Sequence, residues 1–270
     1  MKHHWRLGNL SELVKVRRED DVALVSLNRP ESFNAFNLDM IGQLEEHLIS
    51  LAGDSGVRAV VITGEGKAFC AGGDLKWVLS FPKGAEAGFH ELAARFHQAV
   101  LEIRRMRKPV IAAINGVAAG GGFSLALACD FRVMARSAVL RLAYTSVGLC
   151  VDGGCSYSLP RLVGLARALE IAAFDKPISS EQALAWGLVT KVVDDGSTLD
   201  EALKMAHQLA EGPINAFALT KRLFTDSFDT PFETQIERER MGISSCGAHP
   251  EGMEGIRAFV EKRKPAFKGK

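Results

Sequence analysis

Val110 to Cys129 reads VIAAINGVAAGGGFSLALAC and contains no charged residue. A run of this length must leave water, so it either crosses a membrane or lies at the centre of a fold. Asn115 and the four glycines, Gly116 and Gly120 to Gly122, interrupt it. A lipid-exposed break of that kind would strand backbone polar groups. The segment is therefore expected to be a buried strand, a glycine loop and a buried helix. At 270 residues, 47% hydrophobic and 24% charged, the chain is large enough to enclose such a core.

Strand and helix patterns alternate along the first two thirds. "LVKVRRED" and "DVALVSLNRP" read as two strands joined around Glu19 to Asp21, with Pro30 as the stop. Met40, Ile41, Leu44, Leu48 and Leu51 have helical spacing, and Gly53 ends that helix. "VRAVVITGEG" is continuous and apolar, as in a strand covered on both faces. A helix is expected from about Ala85 to Met106, broken by Pro109, and "FRVMARSAVLRLAY" suggests two further short strands. Such alternation predicts α/β architecture with crossover connections. Beyond Asp152 the chain turns helical, with expected capping boxes at Ser179/Gln182 and Thr198/Glu201. A soft boundary near Asp195 divides an α/β core, residues 1–195, from a helical region, residues 196–270.

A net charge of +1 gives no global drive toward nucleic acid or anionic membrane. The N-terminus has no apolar run suited to a signal peptide. Five cysteines with no CxxC pair suggest reduced thiols, so a cytoplasmic setting is expected. The seven histidines form no metal-ligand motif, and no metal is expected.

Two loops carry the chemistry. "GKAFCAGGDL" and "AAGGGFSLALACD" each follow a strand and lead, through glycines, into a helix start. Glycine lets backbone N–H groups approach a ligand closely, and a helix N-terminus supplies unsatisfied donors. Alone, each loop could be a tight turn. Converging on one oxygen, the two would form an oxyanion hole.

These stretches, with "VSLNRPESFNAFN", "SLPRLVGLARALEIA", "ALAWGLVTKVV" and "FVEKRKPAFKG" in the same order, resemble the enoyl-CoA hydratase/isomerase (crotonase) family from about Val14 to Gly269. The resemblance implies a crotonase-like ββα superhelix and a C-terminal helical region for trimerisation, as a homotrimer or a dimer of trimers. It implies an acyl-CoA substrate, with no cofactor beyond the coenzyme A of that substrate. It places the oxyanion donors at Ala71 and Gly121, and substrate contacts at Ala35, Phe36, Gly72, Asp74, Leu75, Trp77, Phe96, Gly120, Ser124 and Tyr144. Asp74 is also expected to order its loop. Phe259 and Lys262 would meet the adenine and 3′-phosphate region, including from a neighbouring subunit.

The family's hydratases carry glutamates where this chain has Ser124 and Tyr144. Hydration needs groups that activate water and protonate carbon, so standard hydration is disfavoured. Asp152 is the remaining acid. Read alone, Asp-Gly-Gly before a helix is a cap. The family's Δ3,Δ2-enoyl-CoA and epoxyphenylacetyl-CoA isomerases carry an aspartate at the matching position as a proton shuttle. Its 4-chlorobenzoyl-CoA dehalogenase carries a nucleophile there. His97 matches that enzyme's base, although a lone helix histidine is more often structural. Three readings follow: an isomerase using Asp152; a thioester hydrolase or dehalogenase using Asp152 and His97; and a non-catalytic CoA- or RNA-binding member of the family.

Overall fold

The structure is a computed structural model that describes residues 12–269. The expectation about the N-terminal segment falls largely outside them. The strands are β1 (Val14–Glu19), β2 (Val22–Leu27), β3 (Ala59–Gly64), β4 (Ala68–Cys70), β5 (Val110–Ile114), β6 (Val117–Ala119), β7 (Phe131–Ala135), β8 (Val139–Arg141), β9 (Ile178–Ser179) and β10 (Lys191–Val193). The helices are α1 (Leu38–Gly53), α2 (Leu75–Leu79), α3 (Ala85–Arg105), α4 (Gly121–Ala128), α5 (Cys155–Phe174), α6 (Ser180–Ala185), α7 (Thr198–Ala210), α8 (Ile214–Asp226), α9 (Phe232–Ala248) and α10 (Pro250–Val260).

Two sheets result, in the orders β1-β2-β3-β5-β7-β10 and β4-β6-β8-β9. From β2 onward the larger sheet is parallel, and β4, β6 and β8 are parallel in the smaller one. The turns that open with β3, β5 and β7 each lay one strand in each sheet and then a helix, which is the repeating ββα superhelix; β1 and β2 both lie in the larger sheet. Successive side chains of β3 serve different cores. Val60 and Ile62 join the main core, while Val61 joins Ile111, Ala113 and Val133 beneath α7. Ala202, Ala206 and Ala210 let α7 lie close on that face. The helical region past Asp195 therefore begins as a layer of the large sheet.

The uncharged segment resolves into β5, β6 and α4, and every residue of α4 is buried. Among the described residues no helix is long and apolar enough to cross a membrane. The strands β4 and β6 are too short for the alternation that reveals a strand in sequence. The capping box at Ser179 and Gln182 is present in both directions. The one expected at Thr198 is not. Ser197 occupies the cap, and Thr198 is buried with its hydroxyl oxygen unpartnered among the described residues.

Gly122 sits where α4 crosses β4, and a Cβ there would collide with the Cys70 carbonyl. Gly122→Ala should therefore destabilise the fold by about 1–3 kcal/mol. Chemical denaturation would show this as a lower midpoint.

Candidate active site

The two loops meet at the C-terminal ends of β4 and β6. Gly72 has φ +97, and a Cβ on it would lie 3.0 Å from the Gly121 nitrogen and 2.9 Å from the Ala119 carbonyl. Only glycine meets both demands. Asp74 caps α2 by accepting the Trp77 N–H at 3.1 Å, and its other oxygen pairs with Arg29 at 3.1 Å. Its loop-ordering role is thereby seen.

The expected donor Ala71 is not available. Its N–H is bonded to the Phe33 carbonyl at 3.0 Å. The free donor is Gly73. Phe36 donates to the Gly72 carbonyl at 2.7 Å, and Asp74 donates to the Phe36 carbonyl at 2.8 Å. In this parallel bridge the Gly73 N–H faces away from Phe36. No described residue accepts it. Gly121 opens α4, so its N–H has no partner within the helix. Both glycines line one pocket of about 420 Å³, together with Phe36, Leu75, Phe89, Leu92, Phe96, Val147 and Leu149.

Asp152 lines the same pocket. It is not the cap of α5; Gly154 holds that position without a side-chain bond. The side chain is engaged elsewhere. Tyr144 donates its hydroxyl to Asp152 Oδ1 at 2.5 Å. The Ser124 hydroxyl lies 3.0 Å from the Tyr144 oxygen and 2.9 Å from the Asp152 main-chain carbonyl. Burial, and then the Asp152 carboxylate, push the Tyr144 phenol far above its ordinary value, so it remains a donor. Burial likewise pushes the neighbouring Cys155 thiol up to about 12.

His97 Nε2 lies 3.7 Å from Asp152 Oδ2, but it accepts the Gly153 N–H at 3.2 Å. A ring nitrogen accepting that bond carries no proton, so it donates nothing to the carboxylate. His97 steadies the Asp152-Gly153-Gly154 turn and faces a second cavity with Arg104 and Tyr157, outside the apolar pocket.

Of the expected substrate contacts, Phe36, Leu75, Phe96, Gly120 and Tyr144 line the pocket. Ala35, Gly72, Asp74 and Trp77 do not, and Ser124 stands behind Tyr144. Phe259 is exposed at the end of α10 and Lys262 follows it; neither reaches the pocket wall in the single chain. The pocket residues that sequence reasoning misses are Gly73, Leu92, Ala93, Ala143, Val147, Leu149 and Glu86, an exposed carboxylate near the start of α3.

Residues 17–270 match the family model described as enoyl-CoA hydratase/isomerase. The chain is 37% identical over 262 residues to a 1,2-epoxyphenylacetyl-CoA isomerase of Escherichia coli, covering 97% of this chain and all of that one. It is 32% identical to a 4-chlorobenzoyl coenzyme A dehalogenase of an Arthrobacter species, covering 94% and 93%. A solved structure of an enoyl-CoA hydratase from Polaromonas superposes with a TM-score of 0.89 at 39% identity, covering 93% and 98%.

Proposed function

The chain belongs to the enoyl-CoA hydratase/isomerase family, and on that premise we propose that it is an acyl-CoA isomerase that moves a double bond by a 1,3-proton transfer. The observation that carries this reading is the pairing of Asp152 with the Gly73 and Gly121 N–H groups in one apolar pocket. Asp152 Oδ2 accepts no hydrogen bond from the described residues and is free to act as a base.

The thioester carbonyl would receive the two N–H groups. Asp152 would remove a C2 proton from a 3-enoyl thioester, and the electron pair would move into an enolate held by those donors. The carboxylic acid would return the proton at C4, giving the conjugated 2-enoyl thioester. One base suffices, which suits a chain with Ser124 and Tyr144 at the two glutamate positions. The step draws on neither metal nor nicotinamide; coenzyme A is part of the substrate.

The hydrolase or dehalogenase reading rests on Asp152 as nucleophile and His97 as water-activating base. The engaged Nε2 of His97 weighs against it. A 3-enoyl-CoA assay separates the two. Isomerisation raises the ultraviolet absorbance of the conjugated product with no free thiol; hydrolysis releases coenzyme A, which a thiol reagent detects. Release of thiol without conjugation would overturn the isomerase reading.

We also propose that the chain works as a homotrimer or a dimer of trimers. Phe224, Phe228, Phe232, Ile236, Met241 and Ile243 are exposed on and around α8 and α9, large apolar side chains of the kind that assembly covers. Light scattering should give three or six times the chain mass, and a monomer at micromolar concentration would contradict this. Such assembly is also the route by which Phe259 and Lys262 would come to a neighbouring site.

A further inference from the structure

Three oxygen–oxygen contacts join Ser124, Tyr144 and Asp152: Tyr144 to Oδ1 at 2.5 Å, Tyr144 to Ser124 at 3.0 Å, and Ser124 to the Asp152 carbonyl at 2.9 Å. Two hydroxyl hydrogens serve them, because neither a carboxylate nor a carbonyl can donate. The charge decides their placement. If Tyr144 donated to Ser124, the Tyr144 oxygen and Oδ1 would face each other with no hydrogen between them. Tyr144 therefore donates to the carboxylate, in a charge-assisted bond. Ser124 is then the donor in its own contacts, with the Asp152 carbonyl at 2.9 Å, the Tyr144 oxygen at 3.0 Å and the Gly120 carbonyl at 3.4 Å as the acceptors in reach. Both hydroxyls are thus oriented from behind the pocket wall, and Ser124 is buried.

The other carboxylate oxygen is treated differently. Among the described residues nothing donates a hydrogen bond to Oδ2; His97 Nε2 lies 3.7 Å from it, and that nitrogen is occupied by the Gly153 N–H. The buried Cys155 thiol also lies beside this cluster, and Glu86 lines the same pocket.

We propose that Tyr144, seated by Ser124, is a positioning residue that stops the Asp152 carboxyl from rotating and leaves Oδ2 as the one oxygen that both takes and returns the proton. This rests on the isomerase reading above. Oδ2 takes the C2 proton while the C–H pair becomes the enolate. The same Oδ2–H bond then breaks toward C4, the carbonyl re-forms, and Asp152 is again a carboxylate. The two residues standing at the glutamate positions thus act through Asp152 rather than on substrate.

The test uses a 3-enoyl-CoA carrying two deuterons at C2, turned over in ordinary water, with the product's C4 label read by mass spectrometry. Wild type should carry deuterium to C4. Tyr144→Phe should lose about 10–100-fold in kcat, the worth of one hydrogen bond to a charged group. It should bind a saturated acyl-CoA within about twofold of wild type, and the share of label reaching C4 should fall by at least about half. A merely structural role for Tyr144 would not change that share. Ser124→Ala, which spares the Tyr144–Asp152 bond, should shift it less and in the same direction, and serves as the test if Tyr144→Phe does not fold. A wild-type share in the variant, or wild-type isomerisation with no label at C4, would overturn the inference alone. Absence of any isomerisation by wild type would overturn the isomerase reading, and this inference with it.

Discussion

Asp152→Asn should lower kcat for isomerisation of a 3-enoyl-CoA by about 10²–10⁴-fold, the range for removing a general acid–base group. Asparagine keeps the shape and can still accept the Tyr144 hydroxyl at the Oδ1 position. It cannot take a proton from carbon. Binding of a saturated acyl-CoA should change little, because the Gly73 and Gly121 N–H groups and the apolar wall remain. Steady-state kinetics beside calorimetric binding would separate the two effects. Undiminished turnover in the variant would remove Asp152 from the chemistry. A parallel loss of binding and turnover would make it a structural residue of the pocket wall.

Lys221→Met should cost more stability than Gly122→Ala. Asp130, at the end of α4, receives the Val110 N–H at 2.9 Å and Lys221 Nζ at 2.8 Å. Lys221 comes from α8 and also donates to the Ile103 carbonyl at 2.9 Å, so this pair fastens the C-terminal helices to the core. Methionine preserves much of the volume but leaves the largely buried Asp130 side chain, 15% exposed, without its cation. Breaking one side of such a pair costs about 3–5 kcal/mol. Burial holds the Asp130 carboxyl above its ordinary value, with Lys221 opposing the rise. The ionised form is then the one that folding disfavours. This site's contribution to stability is greatest below the carboxylate's unfolded range and declines as pH rises through the folded value. The Lys221→Met deficit, measured by denaturation, should accordingly be smaller near pH 4 than near pH 7. Equal deficits at both would show that Asp130 is not the source.

Much of this was legible in the sequence, and the reasons differ by residue. The helices at Leu38–Gly53 and Ala85–Arg105 carry clear periodicity and stop at Gly53 and before Pro109. The uncharged segment could only be interior, and it forms β5, β6 and α4. Asp152 stood out because other acids were missing from the expected positions. The free N–H of this loop lies two residues beyond the expected donor, Ala71, for a physical reason. Which N–H of Ala71-Gly72-Gly73 is free depends on Phe33 and Phe36, which arrive from a distant turn of the chain. The partners of Asp152 were hidden likewise. Ser124 and Tyr144 are 20 residues apart, and Tyr144 and Asp152 are 8 apart, spacings that belong to no single helix face or strand. For His97 the sequence favours a structural role over a catalytic one, and its Nε2 is engaged with the Gly153 N–H.

The most direct test of one-base isomerisation is the product itself. A 3-enoyl-CoA incubated with the wild-type chain in heavy water should yield a 2-enoyl-CoA whose mass exceeds the substrate's only by exchanged deuterium. A product heavier by a whole molecule of heavy water, or free coenzyme A with the free acid, would contradict the account.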